Sequence, residues 1–173
     1  VHANPNAMVQ NWIENAQAGE TVNIPAGEYT FPTAAFEAGV TVKCAEGTVF
    51  TGATSLDIKG ATVEGATFSN PAGNAVSSTI NGTFKDCTFT GSNAVRYAYA
   101  GETCYFENCV FSGNTYGFHF DGGANEAYFK NCTFSGFNAF GAAVELVTFE
   151  GCTFKGNGKS GYNGANLWGN TTL

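Results

Sequence analysis

The sequence predicts an all-β chain wound as a parallel β-helix, a solenoid with rungs of 20–23 residues behind one N-terminal capping α-helix. Three observations predict it. One phrase, Phe-x-x-Cys-x-Phe followed by Ser, Thr or Lys and then Gly, begins at Phe84, Phe106, Phe129 and Phe149, with a weaker copy at Val63. Those starts are 21, 22, 23 and 20 residues apart, a period at which each unit buries its apolar face only by stacking on its neighbours. Within each copy, apolar and hydroxyl residues alternate with the period of a strand and are interrupted by turn formers, whereas a helix would place apolar residues three and four apart.

Each rung is read as three short strands. Cys87 and Phe89 face the same way in an extended chain, as do Cys109 and Phe111, Cys132 and Phe134, and Cys152 and Phe154, so these residues form the expected inward row. Phe84 lies three residues before Cys87, so a corner must fall between them. Asp86, Asn108, Asn131 and Gly151 occupy that place, and these types tolerate a left-handed backbone. A second corner is expected at Gly91, Gly113, Gly136 and Gly156, and a third strand after it, at residues 94–97, 117–120 and 143–146.

In chain order, residues 5–18 read as a helix capped by Asn4, with Pro5 in its first turn and Gly19 at its end. Met8, Val9, Trp12, Ile13 and Ala16 share a face and are expected to contact the core. The organisation is therefore a capping helix over residues 1–20 and a solenoid of roughly seven rungs over 21–173, with the far end continuing or docking on another subunit. The helix, the phrase Gly-Glu-Thr-Val-Asn-Ile-Pro-Ala-Gly-Glu-Tyr at 19–29 and the rungs that follow resemble right-handed β-helix proteins of the pectin-lyase-like superfamily. That group holds pectate lyases, polygalacturonases, phage tailspikes and surface adhesins. The resemblance implies the right hand, and appendage members of the group imply a homotrimer. It is informative for fold and poor for function, because one fold hosts enzymes, binders and fibres.

Composition narrows the classes. The chain has 173 residues, 16 of them Phe, and a net charge of −7. No basic patch exists to neutralise phosphates, so nucleic acid is not an expected partner. No run of apolar residues is long enough to span a membrane. Four of the six Cys occupy one repeat position, and side chains on neighbouring in-register strands run parallel rather than toward each other. They are read as buried free thiols that act as small apolar filler. Cys44 and Cys104 lie outside that row. No metal-ligand spacing is present, and no cofactor is expected.

Aligning the third strands puts Arg96, His119, Glu145 and Asn166 outward in one row, with Asp121 two residues past His119 and Tyr99 and Trp168 near the strand ends. A sugar chain could lie there, stacked on the aromatics and hydrogen-bonded by Arg96 or His119. A sharper version makes Arg96 or His119 the base of an eliminative cleavage, with Glu145 and Asp121 as the available carboxylates. The plainer alternative is a solvated face on which opposite charges pair across strands. The resemblance would require for catalysis either the acidic cluster of pectate lyases, for which Asp121 and Glu145 are the only candidates, or the Asp-rich motifs of polygalacturonases, which are absent. A second outward set (Thr67, Ser69, Thr88, Thr90, Thr133 and Ser135) resembles the ice-binding face of some β-helical antifreeze proteins, although Val110 and Lys155 interrupt it.

The favoured expectation is a non-catalytic module of a virion appendage, such as a phage tail or head fibre, or of an extracellular fibre, structural and in contact with a polysaccharide or cell-surface glycan. The alternatives are a polysaccharide lyase or glycoside hydrolase, a bacterial surface adhesin and, more remotely, an ice-binding protein.

Overall fold

The structure is a computed structural model that describes residues 4–30, 33–52, 54–79, 81–99, 103–120, 124–139, 144–158, 164–167 and 171–173. The helix runs Pro5–Asn15, and the Asn4 side chain accepts the Asn6 amide at 3.0 Å. It ends earlier than the sequence suggests, because Ala16 already has an extended backbone and its N–H closes on Ile13 O. Val9, Ile13 and Ala16 are buried against the first rungs, but Met8 and Trp12 are 38% and 40% exposed. The expectation that both contact the core is therefore corrected. Each lies one residue, about 100°, from the buried stripe and so looks sideways out of the cap.

Behind the helix the chain winds between two parallel sheets. The first has eight strands: Thr21–Ile24, Thr41–Cys44, Thr62–Glu64, Thr83–Lys85, Thr103–Glu107, Ala124–Lys130, Val144–Glu150 and Thr171–Thr172. The second carries the Cys-x-Phe segments, from Gly27–Tyr29 to Thr153–Phe154. The corner between the sheets is left-handed at Asp86, Asn108 and Asn131 (φ 53°, 54° and 52°) and at Gly65 and Gly151 (φ 75° and 62°). The second corner differs from expectation. Thr67–Thr79, Thr88–Tyr99 and Val110–Phe120 stay paired through it as long bent strands, with Gly91 opposite Gly113. A side chain at Gly113 would strike the Tyr116 carbonyl, which is why glycine stands there.

Two columns of rings fill the interior. Phe68, Phe89, Phe111, Phe134 and Phe154 stack at centroid distances of 5.1, 4.9, 4.9 and 5.2 Å and within 9° of parallel. Phe84, Phe106, Phe129 and Phe149 stack beside them at 5.1, 5.0 and 5.3 Å. The columns meet edge to face, as Phe89 and Phe106 do at 6.3 Å and 73°. Both arrangements suit the ring quadrupole. Residue-for-residue register from rung to rung brings like residues together and excludes the slips that would turn this set outward.

The thiols are all free. They do more than fill space. Cys109 Sγ donates to Phe84 O at 3.5 Å, Cys132 Sγ to Phe106 O at 3.5 Å and Cys152 Sγ to Phe129 O at 3.3 Å, so each thiol reaches a carbonyl on the preceding rung. Cys104, in the first sheet opposite Ala127, is fully buried and Cys44 is half-buried. Burial, with the neighbouring Cys87 adding to it, pushes the Cys44 thiol up to about 12. Burial raises the Cys104 thiol in the same way, so Cys44 and Cys104 stay neutral and unreactive.

Candidate functional site

The third-strand row is not assembled as the sequence suggests. Val76, Val95 and Phe118 are in register and buried. Beyond them one extra residue on the Thr88–Tyr99 strand shifts the pairing, so that Ala98 rather than Tyr97 meets Phe120. His119, expected exposed, is 5% exposed. Its ring stacks on Tyr116 at 4.8 Å, and the Arg96 guanidinium lies 5.5 Å from the Tyr116 centroid. Tyr116 therefore roofs His119, and Arg96 roofs Tyr116, a cation–π stack rather than an open row. Glu145 is not in the row at all. The strand next to Phe118-His119-Phe120 is Phe137–Ala139, directly after Gly136, and His119 pairs with Asn138. Glu145 sits instead in the first-sheet strand Val144–Glu150, which pairs with Ala124–Lys130. Asn166 does follow in the row, opposite Asn138. Tyr99 ends its strand opposite Thr79. Asp121 and Trp168 lie outside the described residues.

The outward face of the first sheet gathers the chemistry that the third strand lacks. One row, unbroken in register, reads Thr21, Thr41, Thr62, Thr83, Tyr105, Tyr128, Thr148 and Thr172. Two residues on, a second row reads Lys43, Glu64, Lys85, Glu107, Lys130 and Glu150, with signs strictly alternating. Lys130 Nζ is 3.7 Å from Glu150. Tyr105 and Tyr128 stand side by side, centroids 5.2 Å apart and 9° from parallel, and Tyr105 is 47% exposed. The Tyr128 hydroxyl donates to Glu126 Oε2 at 2.8 Å, and that carboxylate holds the phenol above its usual pKa. The rings, with Thr83, Lys85, Glu107 and Thr148, line a groove of about 440 Å³. One ring face of each Tyr is spent on the other. The remaining Tyr105 face looks over the short Thr83, which leaves a shelf bordered by a lysine and a glutamate.

Residues 75–172 match the family of the right-handed beta helix region. The chain belongs to that family. No curated protein and no solved structure matches it. Membership supplies the hand of the winding, and it assigns no ligand or activity. As in any right-handed β-helix with in-register rungs, a residue repeated at one position becomes a stripe along the axis, so a side chain's neighbours can be read from the period.

In this right-handed β-helix the stripes could have been found from the residues on either side of the recurrent Phe: Thr83 and Lys85, Tyr105 and Glu107, Tyr128 and Lys130, Thr148 and Glu150. The recurrent Phe marks the core, and its two flanking residues mark the outward stripes. Among the described residues, no group of three or more His, Cys, Asp and Glu is placed to hold a metal ion, and no helix is long and apolar enough to cross a membrane. The groove offers aromatic faces, hydroxyls and alternating charges on one flat surface. That combination suits a ligand with both C–H faces and hydroxyl edges.

Proposed function

We propose that this right-handed β-helix is a non-catalytic, glycan-contacting module of an extracellular fibre or virion appendage. The observation that carries the proposal is the stacked Tyr105–Tyr128 pair, with Tyr105 exposed, in a groove whose walls are threonines and paired charges. An aromatic face takes the C–H side of a pyranose, while hydroxyls and charged groups beside it take the sugar's hydroxyls. Binding rather than cleavage fits the carboxylates. Glu107 and Glu150 stand on the same face, two strand steps or about 10 Å apart, with Lys130 between them. Hydrolysis needs two carboxyl groups flanking a bond from opposite sides.

The test is size-exclusion chromatography of linear polysaccharides after incubation with the protein. Binding makes the glycan peak heavier, and Tyr105→Ala should reverse this with the fold intact, because the ring is exposed. A peak that breaks into smaller fragments would show an enzyme and defeat the proposal.

A further inference from the structure

Trp12 leaves 40% of its surface open at the cap. It lines a second hollow, of about 620 Å³, where the helix meets the first strand of the first sheet. Asn11 and Asn15 from the helix, Glu20, and Thr21 and Asn23 from the strand supply its polar lining, and Ala16 and Val22 its apolar remainder. The Asn15 amide donates to Asn11 Oδ1 at 2.6 Å, which fixes the orientation of the Asn11 amide beside the indole. Glu20 accepts the Gln17 amide N–H at 2.7 Å and is fixed in the same way. An indole among fixed amides, a carboxylate and a threonine is a second place with one apolar face and a hydrogen-bonding rim.

The two hollows share a stripe. Thr21, in the Trp12 hollow, begins the row that continues through Thr41, Thr62 and Thr83 to Tyr105. The strands of Thr21 and Tyr105 are four steps apart in the sheet, so about 19 Å of hydroxyl-lined surface joins the two aromatic sites. The neighbouring charge row has three lysines and three glutamates in alternation, so no strip of one sign runs along it.

We infer that Trp12 is a second sugar subsite, and that one uncharged linear polysaccharide runs along the solenoid axis from Trp12 over the threonine stripe to the Tyr105–Tyr128 pair. This rests on the glycan reading of the Tyr pair and adds to it the direction, the minimum length and the charge of the ligand. A sugar unit advances by nearly one strand step, so about four units fill the stripe and about six engage both ends. Engagement of the second end is intramolecular once the first is held, so affinity rises with chain length until both are reached.

The experiment is calorimetric titration of the full chain and its Trp12→Ala and Tyr105→Ala variants with cello- and manno-oligosaccharides, from disaccharide to octasaccharide, at low and high salt. The expected result is that affinity for the parent chain climbs with length and levels off near the hexasaccharide. Trp12→Ala should remove that climb, a loss of about tenfold for the octasaccharide, and leave short oligosaccharides bound as before. Salt should have little effect, as for an uncharged ligand. If Tyr105→Ala abolishes binding but Trp12→Ala leaves the length dependence unchanged, the subsite at Trp12 is wrong and the Tyr groove stands. If neither variant alters binding, or no oligosaccharide binds, both readings fail. Trp12→Phe keeps an aromatic face in the same exposed position and should retain the climb, which separates loss of stacking from damage to the cap.

Discussion

Two outward surfaces of one solenoid have different fates. On the first sheet, the register from Thr21 to Thr172 passes through eight strands without a shift, and each repeated position becomes a straight stripe. On the third-strand side, the register shifts twice between Gly91 and Ala98, and side chains that alternation would expose are roofed by their neighbours. The left-handed corner at Asp86, Asn108 and Asn131 holds the first sheet in step. The second corner is a bent strand that absorbs rung-length differences as bulges, which re-aim side chains locally. Regular pairing makes a surface that can be read and used over a distance, whereas bulged pairing makes private contacts.

The largest test of this comparison removes what both surfaces rest on. Phe129 stacks on Phe106 and Phe149 beneath the first sheet and meets Phe118 and Phe137 edge to face beneath the third strand. Phe129→Ala should cost about 3–5 kcal/mol of stability, measured by urea unfolding, and should loosen both surfaces together. Hydrogen exchange that rises on one side alone would break the picture of a shared core.

The next test separates the surfaces. His119 is buried under Tyr116, so His119→Ala should cost about 2 kcal/mol. Tyr105 is exposed and touches Tyr128 with one ring face, so Tyr105→Ala should cost no more than about 1 kcal/mol. Equal costs would mean that the third-strand row is open after all. This reverses the expectation drawn from sequence alone, in which His119 faces outward in an open row.

That reversal marks what was legible. The period, the inward Cys and Phe, the capping Asn4 and the left-handed positions were readable because each is local, a residue type meeting a backbone demand within a few positions. The position of Glu145 was not. Counting forward from Gly136 put residues 143–146 in the third strand, whereas Phe137 enters it immediately and Val144–Glu150 returns to the first sheet. Rung lengths vary by up to three residues, and the sequence does not state on which side of a corner the extra residues fall. Trp12 misled for a different reason. Five apolar residues share a broad helical face, but the end of a narrow solenoid covers only the stripe of Val9, Ile13 and Ala16. The Tyr groove was legible in principle, since its residues flank the repeat's most regular Phe.

The smallest test sharpens the regular surface itself. If the alternating row helps to hold strands in register, the cost of reversing a charge should count its neighbours. Lys85 stands between Glu64 and Glu107, while Lys43 stands between Asn23 and Glu64. Lys85→Glu then sets three carboxylates side by side and should cost about 1 kcal/mol, and Lys43→Glu about half of that. Both penalties should shrink as salt approaches molar concentration, because exposed like charges at strand spacing are screened there. Equal and salt-independent costs would assign the effect to strand propensity. The alternating signs would then serve only to keep a flat parallel face soluble, and the register would rest on the Phe columns beneath it.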